Sequence, residues 1–158
     1  MYLGWDSKMK KAFFLLMGIL FLTVTHAQEY KAVFDCSSSD ASYIKSRMWL
    51  VGKTLDMIEK KGDKAKFVIT LHGGCVPMVS KLYNEIVDDE DMASIKKAQD
   101  GITRLAKKKG VKIIACAMSL NVNAIERNEV LPFVTISDNS FIDTIHYQNL
   151  GYALMTFK

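Results

Sequence analysis

The chain has 158 residues, 49% hydrophobic and 24% charged, with a formal net charge of +4 at neutral pH, enough for one domain with a real core and too few for two. Basic residues are interleaved with acidic ones, as where Lys107-Lys108-Lys109 follows Asp100, so the charge pattern excludes a nucleic-acid footprint. Three cysteines are too few for a disulfide scaffold, and without a Cys-x-x-Cys they argue against a zinc ribbon or a thioredoxin-type site.

In chain order, Lys8, Lys10 and Lys11 precede an apolar run from Ala12 to Val24 that closes with Thr25-His26-Ala27. A basic flank, about 13 apolar residues and a small residue at the cut are the pattern of a secretory signal peptide, whereas a membrane-spanning helix needs roughly 20 apolar residues. The reading is therefore a leader over residues 1–27, with Met9 as an alternative start, and a mature domain over 28–158 that is periplasmic or secreted. No stable membrane span remains after cleavage, and the net charge falls to +2 with the loss of Asp6 and the three lysines. Cys36, Cys75 and Cys116 all survive into an oxidising compartment, where an odd number leaves at least one thiol free or engaged with another molecule.

Strand and helix signals then alternate. Tyr30 to Asp35 reads as a strand, and the capping residues Ser37 to Asp40 lead into a helix over Ala41 to Lys61, whose Ile44, Met48, Val51, Leu55 and Ile58 line one face before Gly62 stops it. Ala65 to Leu71 is a second strand, apolar on both faces as a central parallel strand should be. After the His72-Gly73-Gly74-Cys75 turn, Pro77 suits a first helical position, with Met78, Leu82 and Ile86 as a buried stripe. The acidic run Asp88 to Asp91 reads as a loop favouring the next helix N-terminus; it lacks the spaced ligands and Gly turn of a calcium loop. Ile95, Ala98, Ile102 and Leu105 mark a helix up to Gly110, followed by a third strand ending at Cys116 and a polar segment from Asn121 to Asn128. Phe133 to Ser137 is a fourth strand; Asp138 or Asn139 caps a helix carrying Phe141, Ile142 and Ile145; and Gly151 precedes a final strand, Tyr152 to Phe157. Five strands with intervening helices predict an α/β/α three-layer sandwich around a largely parallel sheet.

Each cysteine falls at or just beyond the end of a predicted strand, the edge of a parallel sheet where ligands collect beside helix N-termini. A thiol there has a reason for a lowered pKa, while cysteine is also a common buried filler. For Cys116 both readings stand; for Cys36 and Cys75 structural packing or a disulfide is preferred. His72, three residues before Cys75, is placed to tune a neighbouring thiol or to serve as a polar loop residue. Dinucleotide, P-loop and serine-hydrolase signatures are absent, and two histidines in the mature chain do not make a metal cage, so neither cofactor nor metal is expected.

The run from Gly110-Val111 to Cys116, the His72-Gly73 turn after the second strand, Leu131-Pro132 before the fourth and the closing Gly151-Tyr152-Ala153 resemble, in order, the DsrE/DsrF-like family. The chain departs from many exported relatives where Ala117-Met118-Ser119 follows the cysteine in place of Gly-Asn-Thr. The resemblance implies a subunit assembling into trimers or hexamers and, for members with the strand-three cysteine, transfer of sulfane sulfur as a persulfide on Cys116, from a donor protein to an acceptor. Cys75 or Cys36 would then be a resolving thiol. The competing expectation is a non-catalytic oligomer whose strand-end cleft holds a small ligand, with the cysteines merely packed.

Overall fold

The computed structural model describes residues 27–157, so the predicted signal peptide lies, but for Ala27, outside the described residues. Five strands form one parallel sheet: β1 (Glu29–Cys36), β2 (Lys64–Leu71), β3 (Val111–Cys116), β4 (Thr135–Ser137) and β5 (Ala153–Phe157), in spatial order β4-β3-β2-β1-β5. Four helices connect them: α1 (Ala41–Lys60), α2 (Asp89–Ala106), α3 (Ala117–Val122) and α4 (Ser140–Asn149). The five-stranded parallel α/β architecture is the one the alternating pattern predicts.

Alternation along each strand sorts the sheet into two faces. Phe34 and Cys36 of β1, Phe67, Ile69 and Leu71 of β2, and Ile113 and Ala115 of β3 pack into one large core with Ile44, Met48, Val51 and Leu55 of α1 and Ile95, Ala98, Ile102 and Leu105 of α2. Each such fully buried aliphatic side chain stabilises the fold by about 1.5–3 kcal/mol. The intervening residues Val33, Val68 and Ile114 form a second, smaller cluster with Tyr147 and Tyr152. Short α4 covers this face, touching β1 and β2.

Local chemistry fixes the helix limits. The Asp40 side chain caps α1 by accepting the Tyr43 N–H at 2.8 Å, and Gly62 ends it at φ 81°. Asn139 caps α4 by accepting the Phe141 N–H at 2.8 Å. The acidic run is not a loop: Asp89, Glu90 and Asp91 are the first turn of α2, where carboxylates meet the positive end of the helix dipole. The polar stretch after β3 also differs from expectation, since α3 occupies its first part.

The helix expected from Pro77 is absent. Two 3₁₀ segments, Gly73–Val79 and Tyr83–Glu85, stand there instead, and Met78 is buried while Leu82 is exposed. Outside partners hold the backbone carbonyls that a helix would have used. Gln99 Nε2 donates to Met78 O and Ser80 O, and the Leu131 N–H donates to Val79 O. Gly73, at φ 52°, and Gly74 bring this segment against the loop after β1; a Cβ on Gly74 would lie 2.5 Å from the Ser39 Cα.

Candidate functional site

Cys116 ends β3 on the face covered by α4. The chain turns at once into α3, and the thiol, 4% exposed, sits where α3 and α4 begin. As a thiol it points toward the Asp138 carbonyl at 3.9 Å. As a thiolate it is met by the N–H groups of Ser119, Ser140 and Met118 and by the Ser119 hydroxyl. Burial pushes the Cys116 pKa up, but these hydrogen bonds outweigh it and hold the group below the ordinary thiol range. The Ser119 hydroxyl is itself oriented from β2's side, accepting the Gly73 N–H at 3.0 Å while it faces the sulfur.

His72 follows β2. Leu71 pairs with Ala115 across the β2–β3 ladder, so the next step along both strands brings His72 beside Cys116. Its Nε2 lies 3.1 Å from Asp35 Oδ1, and its ring meets Phe141 edge-on at 6.2 Å between centroids. The Thr70 hydroxyl donates to the same Asp35 oxygen at 2.8 Å. The hydrogen bond that the His72 ring donates to the Asp35 carboxylate raises the His72 pKa above its usual value against the opposing effect of partial burial, and the charges of Asp35 and Cys116 raise it further. Asp35, Thr70 and Cys116 occupy successive strands on one face, each two residues beyond the Val33, Val68 and Ile114 of the small cluster.

Cys36 and Cys75 are bonded to each other, with Cα atoms 5.9 Å apart and both residues fully buried. Cys36 points into the large core, away from the face that carries Cys116. The pairing corrects the expectation of a resolving thiol at either position: both sulfurs are consumed, and Cys116 is the one free cysteine among the described residues. The disulfide ties the loop after β1 to the turn after β2, as do the hydrogen bond from His72 N–H to Cys36 O at 2.9 Å and the Cys75 Sγ contact with Ser38 O at 3.4 Å. It therefore braces the two segments that carry Asp35 and His72.

Of the residues singled out from sequence, the structure brings His72 and Cys116 together and turns the bonded side chains of Cys36 and Cys75 into the large core instead. Asp35, Thr70, Ser119 and Ser140 were not singled out. The available signal was parity: a polar residue recurs at the last inward position of β1 and β2 in the same frame as Cys116. No group of three or more His, Cys, Asp or Glu able to hold a metal occurs among the described residues. Elsewhere, a groove of about 440 Å³ lies between α1 and β5, lined by Phe34, Tyr43, Leu50 and Met155 among others, on the large-core face of the sheet and away from the thiol.

Comparison with known proteins agrees with this architecture. An uncharacterized protein of Aquifex aeolicus (strain VF5) is 34% identical over 149 residues, covering 94% of this chain. The chain spans 64% of that relative's length. The solved structure of MTH1491, a protein of unknown function from Methanobacterium thermoautotrophicum, superposes with a TM-score of 0.61 at 16% identity, covering 81% of this chain and 99% of that one; the likeness is one of fold. The family model described as DsrE/DsrF-like matches residues 12–157, and the chain belongs to the DsrE/DsrF-like family.

Proposed function

We propose that this is an exported, oligomeric DsrE-like protein that carries sulfane sulfur as a persulfide on Cys116. Membership of the family suggests a role related to sulfur relay. The observation that carries the reading is the place of the sulfur, buried at the end of β3 where α3 and α4 begin, so that a ring of donors, the N–H groups of Ser119, Ser140 and Met118 and the Ser119 hydroxyl, lowers its pKa against the effect of burial. A cysteine that merely filled the core would have no use for them. The ring suits a thiolate, and the thiolate is the attacking form in sulfur exchange.

The chemistry is a displacement at sulfur. The Cys116 thiolate attacks the outer sulfur of a donor persulfide; a new S–S bond forms on Cys116 as the donor S–S bond breaks, and the donor leaves as a thiolate. An acceptor thiolate then takes the outer sulfur in the same way and regenerates Cys116. No net oxidant or reductant is consumed.

Incubation with a low-molecular-weight persulfide followed by intact and peptide mass spectrometry tests the proposal. The expected result is one added sulfur atom on the Cys116 peptide, lost on treatment with a reducing thiol and absent in Cys116→Ser. An unmodified Cys116 under conditions that load a control sulfurtransferase would overturn it.

A further inference from the structure

We propose that Asp35 is a positioning residue for Cys116, acting through His72: the carboxylate holds the imidazole as a proton-bearing partner beside the sulfur, where it neutralises the thiolate and returns a proton to the departing thiolate of the donor. The proposal deepens the sulfur-transfer reading, and only its final step rests on that reading.

The geometry points this way from three directions. Asp35 Oδ1 lies 3.1 Å from His72 Nε2, so when that nitrogen carries a proton it donates to the carboxylate, and the ring is fixed in orientation. Asp35 is in turn held by the Thr70 hydroxyl at 2.8 Å, from the position paired with it across the β1–β2 ladder. The ladder register then sets His72 beside Cys116, and the Gly73 N–H that follows it is bonded to the Ser119 hydroxyl facing the sulfur. The titratable groups facing His72 are Asp35 from β1 and Cys116 from β3, while α4 contributes the apolar Phe141 ring. An acid, an imidazole and a thiol thus stand in line across three adjacent strands, on the face and at the edge where the sheet has given up apolar packing.

The proton balance is closed. Attack by the Cys116 thiolate on a donor persulfide expels a donor thiolate, which takes the imidazolium proton and leaves as a thiol. Neutral His72 then accepts the proton of the new Cys116 persulfide, which leaves the bound sulfur anionic and restores the imidazolium. Asp35 stays ionised throughout and never touches the substrate.

The test is the pH dependence of Cys116 alkylation by iodoacetamide, a neutral probe that reports the thiolate without any sulfur transfer. In Asp35→Asn the alkylation rate at pH 6 should fall about tenfold, equivalent to about one pH unit in the thiolate titration. The His72 ring proton resonance should titrate at lower pH, and Asp35→Glu should recover part of both effects. In a His72→Gln background the same Asp35→Asn change should have no further effect, because its route is gone. An alkylation profile in Asp35→Asn that overlays the wild type overturns the proposal, as does an equal additional shift in the His72→Gln background. If Asp35→Asn does not fold, His72→Gln alone carries the test: it must lower the rate at pH 6 by a similar factor, and an unchanged profile overturns the proposal. A shifted alkylation profile in a protein that never accepts sulfur would sink the sulfur-transfer reading and leave the role of Asp35 standing.

Discussion

The two faces of this sheet are built from the same strands and do opposite things. On the α1–α2 face every second residue from Phe34 to Cys36, Phe67 to Leu71 and Ile113 to Ala115 is apolar to the end of its strand. On the α4 face the pattern starts alike, with Val33, Val68 and Ile114, and then changes at the carboxyl edge to Asp35, Thr70 and Cys116. One side is covered by two long helices and the other by a single ten-residue helix whose Phe141, Ile142 and Ile145 remain exposed. The stability of the fold is concentrated on the first face, which frees the second to place polar groups where packing would otherwise have demanded hydrocarbon.

That division of labour can be broken at several points, in decreasing order of effect. Replacing both Cys36 and Cys75 with Ala should cost about 4 kcal/mol, the loop-closure value for a separation of 39 residues. Urea unfolding would show it, and a loss under about 1 kcal/mol would mean that the loops are held by their hydrogen bonds alone. Next, Ile69→Ala in the large core should cost about 3 kcal/mol, yet leave the alkylation profile of Cys116 unchanged in the folded protein. Thr70→Val, one residue along and on the other face, should cost only about 1 kcal/mol but disturb the His72 titration. If these two variants exchanged their effects, the contrast between the faces would be wrong.

A pH measurement sharpens the comparison further. His72 has a raised pKa, so its contribution to stability is fully present below its usual 6.5 and is lost as pH rises through the higher folded value. Cys116 has the opposite sign: its contribution is present above the ordinary thiol range and is lost as pH falls through its lowered folded value. In Cys116→Ser, which isolates the histidine, Tm should decline as pH is raised above 6.5, and adding Asp35→Asn should flatten that decline. At the small end, Lys108→Ala removes exposed ion pairs to Glu59 and Asp56, which water screens, and should leave the urea midpoint unchanged.

Sequence made the architecture legible because burial leaves a period. Ile44, Met48, Val51 and Leu55 step with the turns of α1, and all four are buried. The segment around Pro77 departs from its pattern for a physical reason: its helical spacing is real, but its carbonyls are claimed by Gln99 and Leu131, which lie far away in the chain. The site was legible only in part. Cys116 and His72 announce themselves by residue type, whereas Asp35 and Thr70 become meaningful only once the β1–β2 register places them opposite each other. Ser119 and Ser140 act chiefly through backbone N–H groups, which every residue but proline has, so no side-chain pattern could single them out.

The bond between Cys36 and Cys75 has a consequence for oxidative damage. With those two atoms spent on each other, the reactive edge is monothiol, and a sulfenic acid formed on Cys116 has no internal escape into a disulfide. Its return to the thiol needs a reductant or a second thiol from outside the chain, so the lifetime of a free thiol at Cys116 follows the redox buffer around the protein rather than the protein itself.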